Sequence, residues 1–276
     1  GSPVAHSISP LMHNESFRLL GLDYVYLCFD INEETLPAAV AGLKTCGIRG
    51  FNLTMPNKNK IVELLDELSP EAQLIGAVNT VLNDNGKLIG YNTDGYGFMQ
   101  SVRDAGHDIT GKNITVMGVG GASMAICAQS ALDGAASVHI FARRTSRYWN
   151  RTQKFAENLS AKTGCQVCLF DNDDHTALRD SIAQSYLLIN ATSVGMVPDI
   201  DDTIIKDTSL FHPELVVADV VYEPQETRLL REAKAAGCQT FNGMYMLLHQ
   251  GAKAFQIWTG QEMPVSVIKE KYFSVK

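Results

Sequence analysis

The sequence predicts an α/β fold in two domains with a cleft between them, and three observations carry that expectation. Strand-like and helix-like runs alternate along most of the chain, which is the order that builds sheets flanked by helices. The length, 276 residues, exceeds the roughly 150 of a common single domain. Through the second half, short continuous apolar runs recur between helical stretches, as buried parallel strands do. With 45% of residues hydrophobic and 19% charged, a sizeable core is affordable.

The first elements read in order. "SPLMHNESFRLLGL" opens with Ser9 as an N-cap and Pro10 at the first helical position, sets Met12, Phe17, Leu19 and Leu20 on one side, and stops at Gly21. "DYVYLCFDI" (23–31) reads as a buried strand, "NEETLPAAVAGLKTCG" (32–47) as a helix, and "IRGFNLTM" (48–55) as another strand. A helix over about 59–68 leads to "AVNTVLNDNGKLIGYNTD", two alternating runs joined at Asn85-Gly86, a hairpin signal.

A second series begins at "KNITVMGVGGASMAICAQSAL" and continues through "SVHIFARR", "CQVCLF", "YLLINAT", "LVVADVVY" and "CQTFNG". It predicts a parallel, doubly wound sheet. "MYMLLHQGAKAFQIWTG" is helical again, and these last helices are assigned back to the first domain. The expected division is 1–97 with 247–276 for one domain and 98–246 for the other.

The net charge of −7 argues against a nucleic-acid partner but leaves room for small anions held at local sites. No apolar run approaches the ~20 residues of a membrane span, and no basic segment followed by an apolar stretch opens the chain, so a soluble, cytoplasmic protein without a membrane partner is expected. Six cysteines sit mostly in apolar segments and read as reduced core thiols. Cys165 and Cys168 form a lone C-x-x-C in an alternating run, and His6 and His13 have no metal-like partners, so no metal is expected. The chain opens on Gly1, which fits a trimmed start, a missing leading strand or an added Gly1-Ser2.

In "VMGVGGAS", Gly118, Gly120 and Gly121 follow a strand and precede a helical run, a turn in which a pyrophosphate can approach backbone N–H groups. Ser123 stands at the third glycine position of that fingerprint, and a plain tight turn also explains the glycines. At the end of the next strand, where Asp or Glu would read a free ribose 2′-hydroxyl, the chain has Arg143, Arg144 and Arg147 instead. That set suits a 2′-phosphate through charge-assisted bonds, so NADP is favoured over NAD, against the alternative of a solvated basic turn.

Three polar patches remain: "HSISP", "NLTMPNK", and "AVNT" with "YNTDG". Lys58 and Asp94 are their only charges. Ser9 serves equally as a cap or as a carboxylate ligand, whereas Ser7 has no capping reason to be there. Asn79, Thr80, Asn92 and Thr93 could tie down the hairpin or meet a ligand. In "NLTMPNK" taken alone, Lys58 has no acidic partner nearby in sequence and reads as a surface lysine among neutral hydrogen-bonders.

These motifs, with "GAVNTV", "NATSVGM", "DVVYEP" and "NGMYMLLHQGAKAF", resemble in order and spacing the shikimate dehydrogenase family, including its quinate/shikimate branch, over nearly the whole chain. The resemblance implies an N-terminal substrate-binding domain and a Rossmann-type NAD(P)-binding domain. It also implies reversible reduction of 3-dehydroshikimate to shikimate, on the route to aromatic amino acids, with quinate a second candidate substrate. By the same resemblance Lys58 and Asp94 are the catalytic pair. Ser7 and Ser9 hold the carboxylate; Thr54, Asn79, Asp94 and Gln250 meet ring hydroxyls; Thr93 is a further substrate contact, and Tyr26 and Tyr222 lie near the substrate. Gly118, Gly120, Gly121 and Ala122 bind pyrophosphate, Arg143 and Arg147 satisfy the R-x-x-x-R of NADP-using members, Gly243 and Met246 lie on the nicotinamide side, and Arg144 and Thr192 are further expected cofactor contacts. A monomer or homodimer is expected.

The chain departs from the family in places. Ala142 stands where Asn often precedes Arg143, Thr145 where NAD-using relatives tend to be acidic, and Tyr245 where Gly is frequent. Two rival readings stand beside this one: a lysine-dependent oxidoreductase resembling methylenetetrahydrofolate dehydrogenase, and a non-catalytic ligand sensor.

Overall fold

The computed structural model describes residues 1–273. It divides into two compact units, one formed by Gly1–Gly97 with the residues from Leu247 onward, the other by Phe98–Met246.

In the first unit, helix α1 (Ser9–Leu20) and helix α2 (Leu36–Thr45) precede strand β1 (Gly50–Asn52). A single 3-10 turn at Lys60–Leu64, strand β2 (Glu67–Leu68) and helix α3 (Pro70–Ile75) follow, then the hairpin β3 (Thr80–Asp84) and β4 (Lys87–Tyr91). The sheet order is β1-β3-β4-β2. Asn85 and Gly86 both have positive φ, 53° and 93°, the conformation that lets a two-residue turn follow the twist of its strands. Leu53, Ile61, Val78, Val81 and Leu88 pack with Leu36 and Val40 of α2 as the core of this unit.

Three expectations are corrected here. Residues 23–31 form no regular element and join no ladder, and Val25, Leu27 and Phe29 are exposed. Their apolar pattern specifies a strand face, but a strand also needs a neighbour's backbone. Here the Tyr26 amide goes to the Asn14 side chain and the Ile31 amide to Gly1 O. The helix expected over 59–68 is only the 3-10 turn. The α-helix starts later, where Ser69 accepts from Ala72 N and Pro70 follows at the first position. Lastly, α1 begins one residue early: Ile8 is its cap and Ser9 lies inside.

The second unit contains β5 (Asn113–Met117), α5 (Gly121–Leu132), β6 (Ser137–Ala142), α6 (Trp149–Thr163), β7 (Gln166–Asp171), α7 (His175–Gln184), β8 (Leu187–Asn190), β9 (Val216–Asp219), α8 (Arg228–Ala235) and β10 (Gln239–Phe241). It is entered by α4 (Asp94–Asp104) and left by α9 (Met244–Thr259). The six strands are parallel in the order β10-β9-β8-β5-β6-β7. The order reverses between β5 and β8, the doubly wound arrangement whose ligands meet the carboxyl ends of the strands. Met117, Phe141, Leu188 and Val217 form its core with Ile182, Leu229 and Leu230 of the helices.

Cys127, Cys165 and Cys238 are buried, as expected of core thiols, while Cys28 and Cys46 are exposed, because the segments that carry them are not covered. Among the described residues no group of His, Cys, Asp or Glu could hold a metal, and no helix is long and apolar enough to cross a membrane.

Candidate active site

The polar groups of the first unit are brought together by its sheet. Asn52 and Thr80 are register partners across β1 and β3, so their side chains share a face. The chain then runs from β1 to Lys58, whose carbonyl accepts from Val78 N at 2.8 Å and so holds this loop against the hairpin. Asp94 begins α4, with Asn92 Oδ1 capping its amide at 3.1 Å. A carboxylate is favoured there by the helix dipole.

Lys58 Nζ lies 2.6 Å from Asp94 Oδ2, and the side chains are 27% and 11% exposed. The pair is thus mostly withdrawn from water while the lysine stays reachable. Asp94 Oδ1 accepts from Asn79 Nδ2 at 2.8 Å. Asn79 has only one workable orientation, since its Oδ1 accepts from the Thr93 amide at 2.8 Å and its Nδ2 must then face the carboxylate. The same Nδ2 approaches Thr93 Oγ1 at 3.0 Å and Gln250 Oε1 at 3.4 Å. Asn79, Thr93 and Asp94 are all buried.

Asn52 extends this network to Tyr26, whose hydroxyl donates to Asn52 Oδ1 at 2.9 Å. Burial pushes the Tyr26 phenol well above its ordinary range, opposed by a hydrogen bond from the Ser9 side chain. Ser9 is therefore placed on the network rather than used as a cap. Ser7 does have a local partner after all: its Oγ accepts from Ser9 N at 3.3 Å.

Two of the neutral groups in "NLTMPNK" have internal partners. Asn52 is engaged by Tyr26, Asn79 and Thr80. Asn57 is fully buried and donates to Ile31 O at 2.7 Å. Thr54 is exposed, and its hydroxyl has no hydrogen-bond partner among the described residues. Sequence reasoning missed Asn14, which clamps the Tyr26 backbone at 2.7 and 2.9 Å, while His13, without metal-like partners in the sequence, is structural: its ring stacks on Tyr26 at 4.6 Å between centroids. For Asn14, the position beside the "SISP" segment was the only signal.

In the second unit, Gly118 has φ 111°, and a Cβ there would lie 2.8 Å from Thr192 Cγ2, so only glycine fits. Gly120 and Gly121 are exposed, and a Cβ on either would meet nothing within 4 Å. Their amides and that of Ala122 stand at the start of α5. Ser123 replaces the third glycine without loss, since its hydroxyl donates to Gly118 O at 2.5 Å and braces the turn. This fits a pyrophosphate held by backbone N–H groups at a helix N-terminus.

After β6, Arg144 stacks over Trp149 at 4.5 Å and Arg147 over Tyr148 at 4.7 Å. Arg143 is exposed and has no ion pair or ring contact among the described residues, which leaves it able to meet an anion. Thr192 donates to Asn190 Oδ1 at 2.6 Å, and Asn190 in turn donates to Asp219 Oδ1 at 3.0 Å. The Gly243 position is explained by packing: a Cβ would fall 2.1 Å from Val220 O. Met246 follows it, its amide bonded to Gly243 O at 3.1 Å, and Tyr222 is exposed just beyond β9.

Comparison with known proteins accounts for this combination. Residues 1–81 match the family model described as shikimate dehydrogenase substrate binding domain, and residues 243–271 match the shikimate 5'-dehydrogenase C-terminal domain. The chain is 52% identical over 272 residues to shikimate dehydrogenase (NADP(+)) of Listeria innocua, covering 99% of this chain and 93% of that one. It is 49% identical to the enzyme of the same name from Streptococcus pyogenes serotype M49, covering 97% and 92%. The solved structure of shikimate 5-dehydrogenase from Listeria monocytogenes in complex with shikimate and NAD is similar with a TM-score of 0.94 at 51% identity, covering 98% of this chain and 93% of that one. Two α/β units, one a doubly wound sheet with a glycine turn and the other carrying a lysine–aspartate pair, thus go with half-identical sequence along nearly the entire length: the chain belongs to the shikimate dehydrogenase family of oxidoreductases.

Proposed function

We propose that this protein catalyses the reversible reduction of 3-dehydroshikimate to shikimate with NADP, and that Lys58 is its proton donor and acceptor. The observation that carries the reading is the 2.6 Å Lys58–Asp94 pair braced by Asn79. The nicotinamide, when bound, supplies or takes the hydride. Negative charge then develops on the ketone oxygen, which needs a positioned acid in the same step. Lys58 carries the protons for that task and returns to the neutral amine's role as base in the reverse direction. Asp94 orients the ammonium, and Asn79 holds the second carboxylate oxygen so that Asp94 cannot swing away. Gln250 and Thr93 flank the same group, and Thr54 and the serines 7 and 9 supply hydroxyls for the polyol acid.

The glycine turn at Gly118, Gly120 and Gly121, with the Ala122 amide, would hold the pyrophosphate, and Arg143 the 2′-phosphate. Both curated relatives carry NADP(+) in their names, whereas the solved Listeria monocytogenes structure contains NAD, so NAD remains a usable second cofactor. The sensor and folate-type readings are not favoured: a sensor needs no proton donor, and the sequence relatives are shikimate dehydrogenases. Initial rates with shikimate and with quinate, each with NADP and NAD, test the proposal. The shikimate–NADP combination is expected to be fastest, and no oxidation of shikimate with either nucleotide would overturn it.

A further inference from the structure

Lys58 stands on the loop between β1 and the 3-10 turn at Lys60–Leu64, yet its ammonium meets Asp94 at 2.6 Å. A lysine stem is flexible, so where the ammonium rests depends on where its backbone is held. On the C-terminal side the Lys58 carbonyl accepts from Val78 N at 2.8 Å. On the N-terminal side the neighbouring residue, Asn57, is fully buried.

Asn57 is bonded at three points. Its amide donates to Thr54 O at 3.0 Å, its carbonyl accepts from Ile61 N at 3.1 Å, and its side-chain Nδ2 donates to Ile31 O at 2.7 Å. The first two bonds are local and shape the loop itself. The third spans 26 residues and reaches outside the loop. Its acceptor is held in turn: Ile31 packs against the core that contains Leu53 and Ile61, and its N–H is bonded to Gly1 O at 2.9 Å. The other half of the Asn57 amide is buried without a hydrogen-bond partner among the described residues, a loss that an apolar side chain of similar shape would avoid. The bond to Ile31 is therefore what an asparagine supplies at this position.

We propose that Asn57 is a positioning residue for Lys58: its bond to Ile31 fixes the backbone from which the lysine reaches Asp94. This role rests on Lys58 being the proton donor, and it is exerted wholly through that neighbour, without contact to the substrate. A proton donor works only within hydrogen-bond reach of the reacting oxygen, and a misplacement of about 1 Å can cost about 10²-fold in rate.

The test begins with Asn57→Leu, which keeps the approximate shape and removes both the donor and the unpartnered oxygen. It is expected to lower kcat for shikimate oxidation by about 10- to 100-fold and to leave KM for shikimate and for NADP within about threefold. A double-mutant cycle with Lys58→Ala then separates positioning from general support of the fold. In the Lys58→Ala background, Asn57→Leu should lower the residual kcat by less than about twofold, because the group it positions is gone. Asn57→Ala removes the same donor without adding bulk and is carried through the same cycle where leucine is not accommodated.

An Asn57→Leu enzyme with wild-type kcat, or one whose kcat falls by the same factor in both backgrounds, would overturn the proposal. The two kinds of failure are distinguishable. Equal losses in both backgrounds, with Lys58→Ala itself slow, sink the role of Asn57 alone. A Lys58→Ala enzyme that turns over at a near-normal rate sinks it together with the assignment of Lys58 as proton donor.

Discussion

Lys58 Nζ and Asp94 Oδ2 lie 2.6 Å apart although 36 residues separate them in sequence, and the hairpin between them is what brings them together. Val78, two residues before β3, donates its amide to the Lys58 carbonyl, and Asn79 O and N pair with Leu53 and Tyr91 on either side. The pair is thus clamped by backbone as well as by charge. Replacing Lys58 with Ala should lower kcat by about 10²–10⁴, the range for losing a positioned proton donor, with a smaller change in KM. Steady-state kinetics with shikimate and NADP decide it: near-normal kcat with only KM raised would reduce Lys58 to a binding group.

Arg143 is the one arginine of its cluster without a ring to lie on. Arg144 and Arg147 are stacked on Trp149 and Tyr148, so their guanidinium groups also do packing work. Arg143→Ala should therefore raise KM for NADP by about 10- to 100-fold, the scale of lost charge-assisted bonds, and change KM for NAD little. Equal losses with both nucleotides would mean that the 2′-phosphate is not what Arg143 reads.

Much of this architecture is legible in the sequence, and the exceptions have physical causes. The parallel sheet, the Asn85-Gly86 hairpin and the glycine turn each leave a local signal: apolar runs of strand length, residues tolerant of positive φ, and small residues before a helix. Segment 23–31 misleads because apolar alternation reports a face and says nothing of a ladder partner. The Lys58–Asp94 pairing leaves no local signal, since the distance is set by folding. Asn52 is subtler still. Its residue type suggests a spare hydrogen-bonder, and only the register with Thr80 reveals that its donors and acceptor are already in use.

Asp219 at the end of β9 is fully buried and accepts from Val221 N, Thr227 Oγ1 and Asn190 Nδ2. Desolvation outweighs these bonds and raises its pKa to about 6 from 3.8. A carboxyl that binds its proton more tightly when folded loses stability as pH rises through the interval from 3.8 to about 6. That shift of roughly two pH units corresponds to a cost on the order of 3 kcal/mol above pH 6. Asn at this position keeps an acceptor for the amides and places its NH2 toward Thr227, which can accept. Asp219→Asn should thus gain stability relative to the wild type as pH rises from 4 to 7, measured by denaturant unfolding. An offset between the two proteins that stays constant with pH would show that Asp219 does not titrate in this range.

His13 makes the opposite prediction. It is fully buried among Phe17, Tyr26, Phe255 and Trp258, and neither ring nitrogen has a hydrogen-bond partner among the described residues. Desolvation lowers its pKa to about 3 from 6.5, so the folded protein holds it neutral while the unfolded chain takes up a proton below pH 6.5. Stability from this group is lost as pH falls from 6.5 toward 3, by about 1.4 kcal/mol for each unit. At pH 5 the cost reaches roughly 2 kcal/mol. Phenylalanine conserves the ring that Tyr26 stacks on and cannot titrate. His13→Phe should therefore gain about 2 kcal/mol on the wild type between pH 7 and pH 5 in denaturant unfolding, while wild-type affinity for shikimate at pH 7 is retained. If the two unfolding curves shift in parallel over that range, the imidazole is not held neutral. If shikimate affinity collapses in a stable variant, the ring nitrogens serve the ligand and not merely the stack beneath Tyr26.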